Sequence, residues 1–253
     1  MLELLRRWFG QASRDAPEVA PLRRWAEAAG WRFAPARGSE GFVVEATGEG
    51  PGWRAEWGPA QRDYIGEREL RIRADIGDAG DLQMLVIARS LMTRLETAVF
   101  EQVTEGNQTR MDDRTPEEMR WLVLFPTVPR ATLGPLRERF AALANRPAAA
   151  PLWLEGELSQ ALQAAAPWLA ADTPFVMVVQ RGRFVLRMAL PQPDEDTLRR
   201  TIDLALIAVA AARRVGAEVM HGRLGSERPS GWGVPSALPR DASAAARDDA
   251  DLR

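Results

Sequence analysis

Strict alternation of apolar and charged residues over two short stretches most limits what this chain can become. In WRAEW (53–57), Trp53, Ala55 and Trp57 share one side and Arg54 and Glu56 the other. In ELRIRADI (69–76), Leu70, Ile72, Ala74 and Ile76 oppose Arg71, Arg73 and Asp75. Side chains of a strand alternate between the two faces of a sheet, so each stretch predicts a strand covered on one face and charged on the other. The apolar-rich run that follows, DLQMLVIARSLMTRLETAVFEQV (81–103), carries Leu85, Ala88, Met92, Leu95 and Val99 at spacings of three and four. That period predicts one long helix packed on the strands, with Asp81 as its cap and Gly106 and Asn107 at its end.

Before these strands, Pro17 to Ala29 reads as a helix with Leu22, Trp25 and Ala26 inward, and GFVVEAT (41–47) as a strand. After them, EGNQTRMDDRTPEEM (105–119) is polar and reads as a linker ending in a helix start, with Thr115 as cap, Pro116 at the first helical position and Glu118 at capping-box spacing. RWLVLFPTV (120–128) is apolar on both sides and reads as a central strand. Residues 132–145, with Leu133, Leu136, Phe140 and Leu143 inward, read as a helix, and so do 152–166. TPFVMVVQ and RFVLRMAL (173–180 and 183–190) form a hairpin across Gly182, with Arg187 on the face opposite Phe184, Leu186 and Met188. DEDTLRRTIDLALIAVAAARR (194–214) is a final helix, acidic at its start and basic at its end.

These readings give an α+β fold of antiparallel sheets, each covered by long helices. The chain divides into an amphipathic arm at 1–14, an α+β unit at 15–106, a linker at 107–119, a second α+β unit at 120–220 and a flexible tail at 221–253. ELRIRADIGDAGDLQMLVIARSLM and RFVLRMALPQPDEDTLRRTIDLAL both read as strand, acidic turn and broad helix, which suggests two related units packed together.

Composition removes several kinds of chemistry. There is no cysteine among the 253 residues, so disulfides and thiolate chemistry are excluded. Every basic side chain is arginine, and without lysine neither a side-chain Schiff base nor a P-loop can exist. The net charge of −2 shows no basic stripe, which argues against a dedicated nucleic-acid binder. No run of eighteen apolar residues occurs, and MLELLRRWFG lacks the order of a signal peptide. A cytoplasmic protein of bacterial type is the expectation. The single histidine, His221, cannot build a multi-histidine metal site, and Asp112 and Asp113 lack calcium-loop spacing. No metal and no cofactor are expected, and no residue stands out as catalytic.

Two groups of residues remain as candidate sites. Arg54, Glu56, Tyr64, Glu69, Arg71 and Arg73 gather on the charged side of the strands and their connecting loop, where arginine forks could receive an anion. Leu5, Trp8, Phe9 and Trp232 are apolar residues of the arm and tail that could meet a protein partner or a second copy of the chain. Nine tryptophans and sparse catalytic groups favour a non-enzymatic protein-binding or assembly module, chaperone-like in its element order. The alternative is a small anionic-ligand binding protein or a carboxylate-based enzyme.

Overall fold

The computed structural model describes residues 19–36, 40–46, 52–104 and 117–224. The N-terminal arm, most of the linker with Asp112, Asp113 and Thr115, and the tail beyond Leu224 lie outside the described residues, together with Leu5, Trp8, Phe9 and Trp232.

The fold is α+β. Eight strands form one antiparallel sheet in the order β1-β2-β3-β4-β8-β7-β5-β6, in place of the separate sheets that the two halves of the sequence suggest. Helix α1 (Val19–Ala28) leads into the meander β1 (Arg32–Pro35), β2 (Phe42–Glu45), β3 (Trp53–Pro59) and β4 (Arg68–Asp75). Next come β5 (Gln83–Ala88), α2 (Arg89–Thr104), α3 (Glu117–Leu124) and a 3-10 helix (Arg130–Glu138). The chain continues through β6 (Phe140–Ala144), α4 (Ala149–Trp153), α5 (Glu157–Ala164), the hairpin β7 (Phe175–Gln180) and β8 (Arg183–Ala189), and α6 (Glu195–Met220). Residues 15–106 supply β1 to β5 and residues 120–220 supply β6 to β8, joined where β4 pairs with β8 and where β5 sits between β6 and β7.

Three expectations are corrected. The long helix over 81–103 is a strand, β5, followed by helix α2 from Arg89. Met84, Leu85, Val86 and Ile87 are all fully buried, because β5 lies between two strands and is covered on both faces. An apolar run buried on both faces has no distinguishing period, so the helical stripe through Leu85 and Ala88 was coincidence. The stretch 120–128 is mainly helix: α3 runs to Leu124, with Trp121 inward and Val123 and Leu124 exposed. The helix over 132–145 is a 3-10 segment that kinks at Gly134 and Pro135, and then strand β6, whose five residues are all buried. The two stretches of similar text also part company here, since β4 leads to strand β5 while β8 leads directly to helix α6.

The alternating strands fold as read. Leu70 and Ile72 of β4, Trp57 of β3, and Phe184, Leu186 and Met188 of β8 are buried on one face. Helix α6 covers that face; its start is capped by Asp194, whose Oδ1 accepts from the Thr197 amide at 2.9 Å. The helix runs past Arg214 to Met220, and Gly216 lets it approach Ala79, whose Cβ would lie 3.0 Å from an added methyl. Trp153 of α4 locks the layer, stacking edge-on against Phe184 at 6.4 Å and donating its indole N–H to the Ala208 carbonyl at 2.9 Å. Near the β1 edge, Trp31 stands edge-on to both Trp25 and Trp53, at 5.2 and 5.0 Å. Most of the chain's tryptophans are thus spent on its own packing.

The β7–β8 turn is Arg181-Gly182, with φ of 50° and 72°. Two left-handed residues match the twist of a two-residue hairpin. A Cβ on Gly182 would also lie 2.6 Å from the Gly77 carbonyl oxygen. Gly182→Ala is therefore expected to lower stability by about 1–3 kcal/mol, read as a lower denaturant midpoint; an unchanged midpoint would show that the turn does not rest on the 76–77 segment.

Candidate functional site

The face of the sheet opposite α6 is charged, and strand register decides which charges meet. One row of cross-strand partners runs Arg32, Glu45, Arg54, Arg73, Val185, Val178. The row beside it runs Val43, Glu56, Arg71, Arg187, Val176. Both rows place like charges side by side, Arg54 with Arg73 and Arg71 with Arg187, which is unfavourable unless carboxylates intervene.

For most of these arginines they do. Arg71 is nearly buried and pairs with Glu56 at 2.8 Å. Arg187 donates to Glu69 Oε1 at 2.5 Å, and the other Glu69 oxygen accepts from the Gln61 amide at 2.8 Å. Glu45 receives both Arg32 and Arg54. Arg32 foremost, and Arg54 with it, hold the Glu45 carboxyl below its ordinary value against the effect of burial. Burial pushes the Glu56 carboxyl up, but its bond to Arg71 and the charges of Arg71, Arg54 and Arg73 outweigh that and leave it below its ordinary value.

The loop between β3 and β4 and helix α3 add a second layer. Glu118 is buried, with Oε2 3.3 Å from Arg62 Nε and Oε1 3.9 Å from Arg187 Nε. Burial disfavours the Arg62 charge, but Glu118 and Tyr64 outweigh it and hold the guanidinium above its ordinary value. Burial, then the Glu118 charge, pushes the Tyr64 phenol far up, so it stays protonated. Arg62 Nε, Tyr64 Oη, Arg71 Nε and Glu118 Oε2 are buried and make no hydrogen bond among the described residues.

Arg73 is the exception. It makes no ion pair among the described residues. Burial, then the charges of Arg71 and Arg187, and that of Arg54, push its guanidinium below its ordinary value, with Glu56 opposing. It lines a concavity of about 620 Å³ with Trp53, Arg54, Asp75, Arg183 and Val185. Glu56, Glu69 and Arg71 line a smaller one of about 200 Å³ with Gln61. A third, of about 440 Å³, lies between Arg62, Glu118, Arg181, Arg183 and Arg187.

Of the residues singled out from sequence, Arg54, Glu56, Glu69, Arg71 and Arg73 share one face, and Tyr64 lies over it beside Glu118. Arg187, Glu118, Arg62, Arg181 and Arg183 join them without having been singled out as site residues. Arg187 was legible as the outward charge of its strand, but nothing local pointed it at Glu69, which lies 118 residues away. Glu118 carried only the spacing of a helix cap. His221 is exposed at the end of α6, away from these charges.

No protein-family model and no curated protein matches the chain. Among solved structures it is similar to the crystal structure of the mycobacterial trehalose monomycolate transport factor A, TtfA, at 9% identity, over 76% of this chain and 90% of that one, with a TM-score of 0.40. No helix among the described residues is long and apolar enough to cross a membrane.

Glu69 is the carboxylate on which the buried charges depend. Removing one partner of a buried ion pair strands the other, here Arg187 opposite Arg71. Glu69→Ala is expected to destabilise the fold by about 3–5 kcal/mol in chemical denaturation. A loss below about 1 kcal/mol would match an exposed pair and would contradict this account.

Proposed function

We propose that the protein binds an anionic ligand on the charged face of its sheet, at Arg73, and performs no chemistry there. One observation carries the reading: Arg73 sits among Arg54, Arg71 and Arg187, has no carboxylate of its own among the described residues, and opens on a concavity. An anion over Arg73 relieves that repulsion and gains charge-assisted hydrogen bonds from the guanidinium fork. The half-buried Val185 gives the same concavity apolar wall beside polar groups.

The alternative of carboxylate catalysis draws no support from the geometry. Glu56 is held ionised by Arg71, and both oxygens of Glu69 are engaged. A general acid needs a carboxyl whose affinity for protons is raised, and a general base needs a free lone pair near its substrate.

Titration with inorganic phosphate at low ionic strength, followed by tryptophan fluorescence and calorimetry, tests the reading. The wild-type protein is expected to bind saturably, and Arg73→Gln to bind at least about tenfold more weakly, the scale of one lost charge-assisted contact. Equal binding by both proteins, or none by the wild type, sinks it.

A protein partner is the second reading, that of a binding or assembly module. Its support has moved from the tryptophans, most of which pack internally, to Val123 and Leu124 of α3, which are 56% and 58% exposed. If that pair mediates self-association, light scattering should give a mass above the 28.0 kDa of one chain, and Val123→Ser/Leu124→Ser should return it to the monomer. A monomeric wild type removes the self-association form of this reading.

A further inference from the structure

The concavity around Arg73 does not end there. It shares Arg183, Val185 and Arg187 with the concavity around Arg62 and Arg181, so the two form one trough across β4, β8 and β7. The floor beside Arg73 is apolar: Val185 is its cross-strand partner and Val178 lies beyond it in the same row, and both valines are half-buried.

The far end of the trough is cationic. Arg181 and Arg183 flank the β7–β8 turn, are exposed, and make no ion pair among the described residues. Asp75 is the cross-strand partner of Arg183 but forms no ion pair with it; its Oδ1 accepts from the Gly77 amide at 2.6 Å. Arg181 is also the one residue other than glycine, among those described, with a left-handed backbone. Glycine, asparagine or aspartate fills such a turn position with less strain. Keeping an arginine there is the kind of local cost that accompanies a working side chain.

We propose that the ligand carries two anionic groups joined by a short apolar spacer, one group on Arg73 and the other on Arg181 and Arg183. Its chemical class is an aliphatic dicarboxylate. The inference rests on the Arg73 reading and extends it with a second contact point. Neighbouring strands lie about 4.8 Å apart and Arg183 sits two residues, about 7 Å, along β8 from Val185, the partner of Arg73, so roughly 8 Å of diagonal separates the two ends. A spacer of about four to six methylenes covers that gap and runs beside Val185.

The test compares hexanoate, malonate, adipate and suberate by calorimetry against the full chain, with Arg181→Gln and Arg73→Gln as variants. Adipate or suberate is expected to bind about tenfold or more tightly than hexanoate. Malonate, with two charges but too short to span, is expected to lose most of that gain. Arg181→Gln, which leaves Arg183 in place, should take back a large part of the gain of the long dicarboxylates over hexanoate. Equal affinity for hexanoate and suberate, equal affinity for malonate and suberate, or indifference of suberate to Arg181→Gln would overturn the two-point ligand. In each of those cases the Arg73 site survives if Arg73→Gln still abolishes binding. If none of the four probes binds the wild type, the dicarboxylate proposal fails, and phosphate binding decides the Arg73 reading separately.

Discussion

Pairing of β4 with β8 sets Arg71 directly across from Arg187 at the centre of the sheet, and much of the charged face follows from how that repulsion is relieved. Each arginine takes its own carboxylate, Glu56 from β3 and Glu69 from β4. Both guanidiniums are nearly buried, so the carboxylates are structural necessities there. The same demand reaches the helices: Arg187 and Arg62 both face Glu118, which ties α3 to the sheet. The seam where the N-terminal strands meet the C-terminal hairpin is thus held by backbone pairing and by side-chain charge together.

Carboxylates satisfy the seam, while along the trough Glu45, Asp75 and Glu118 alternate with arginines. Arg54 is drawn toward Glu45 and Glu56, Arg71 toward Glu56, and Arg187 toward Glu69 and Glu118. Arg73, Arg181 and Arg183 have no such partner among the described residues and border the open concavities. That contrast between paired and unpaired arginines is what the proposed anion site at Arg73 rests on. The opposite face contributes by being closed. Helix α6, Trp153 and the Trp25–Trp31–Trp53 contacts bury the apolar side of the sheet, so the face available to a ligand is the charged one.

The sequence by itself determined the elements that have one wet face. Alternation in β3, β4 and β8 follows from a sheet with a core on one side and polar surroundings on the other, so Arg54, Glu56, Arg71, Arg73 and Arg187 could be put on an outer face from spacing alone. Acids at the start of the stretch 194–214 and arginines at its end announced α6 for a similarly local reason, the dipole of a helix, while the cap by Asp194 shows only in the structure. Tertiary structure decided the rest. β5 and β6 are buried on both faces, which erases the period that separates strand from helix, and α3 hid for a different reason, because its outward residues Val123 and Leu124 are apolar. The meeting of Arg187 with Glu69, of Glu118 with Arg62, and of two concavities over Val185 depends on strand order. Strand order is set by how all eight strands bury their apolar area together, and no local run of residues records it.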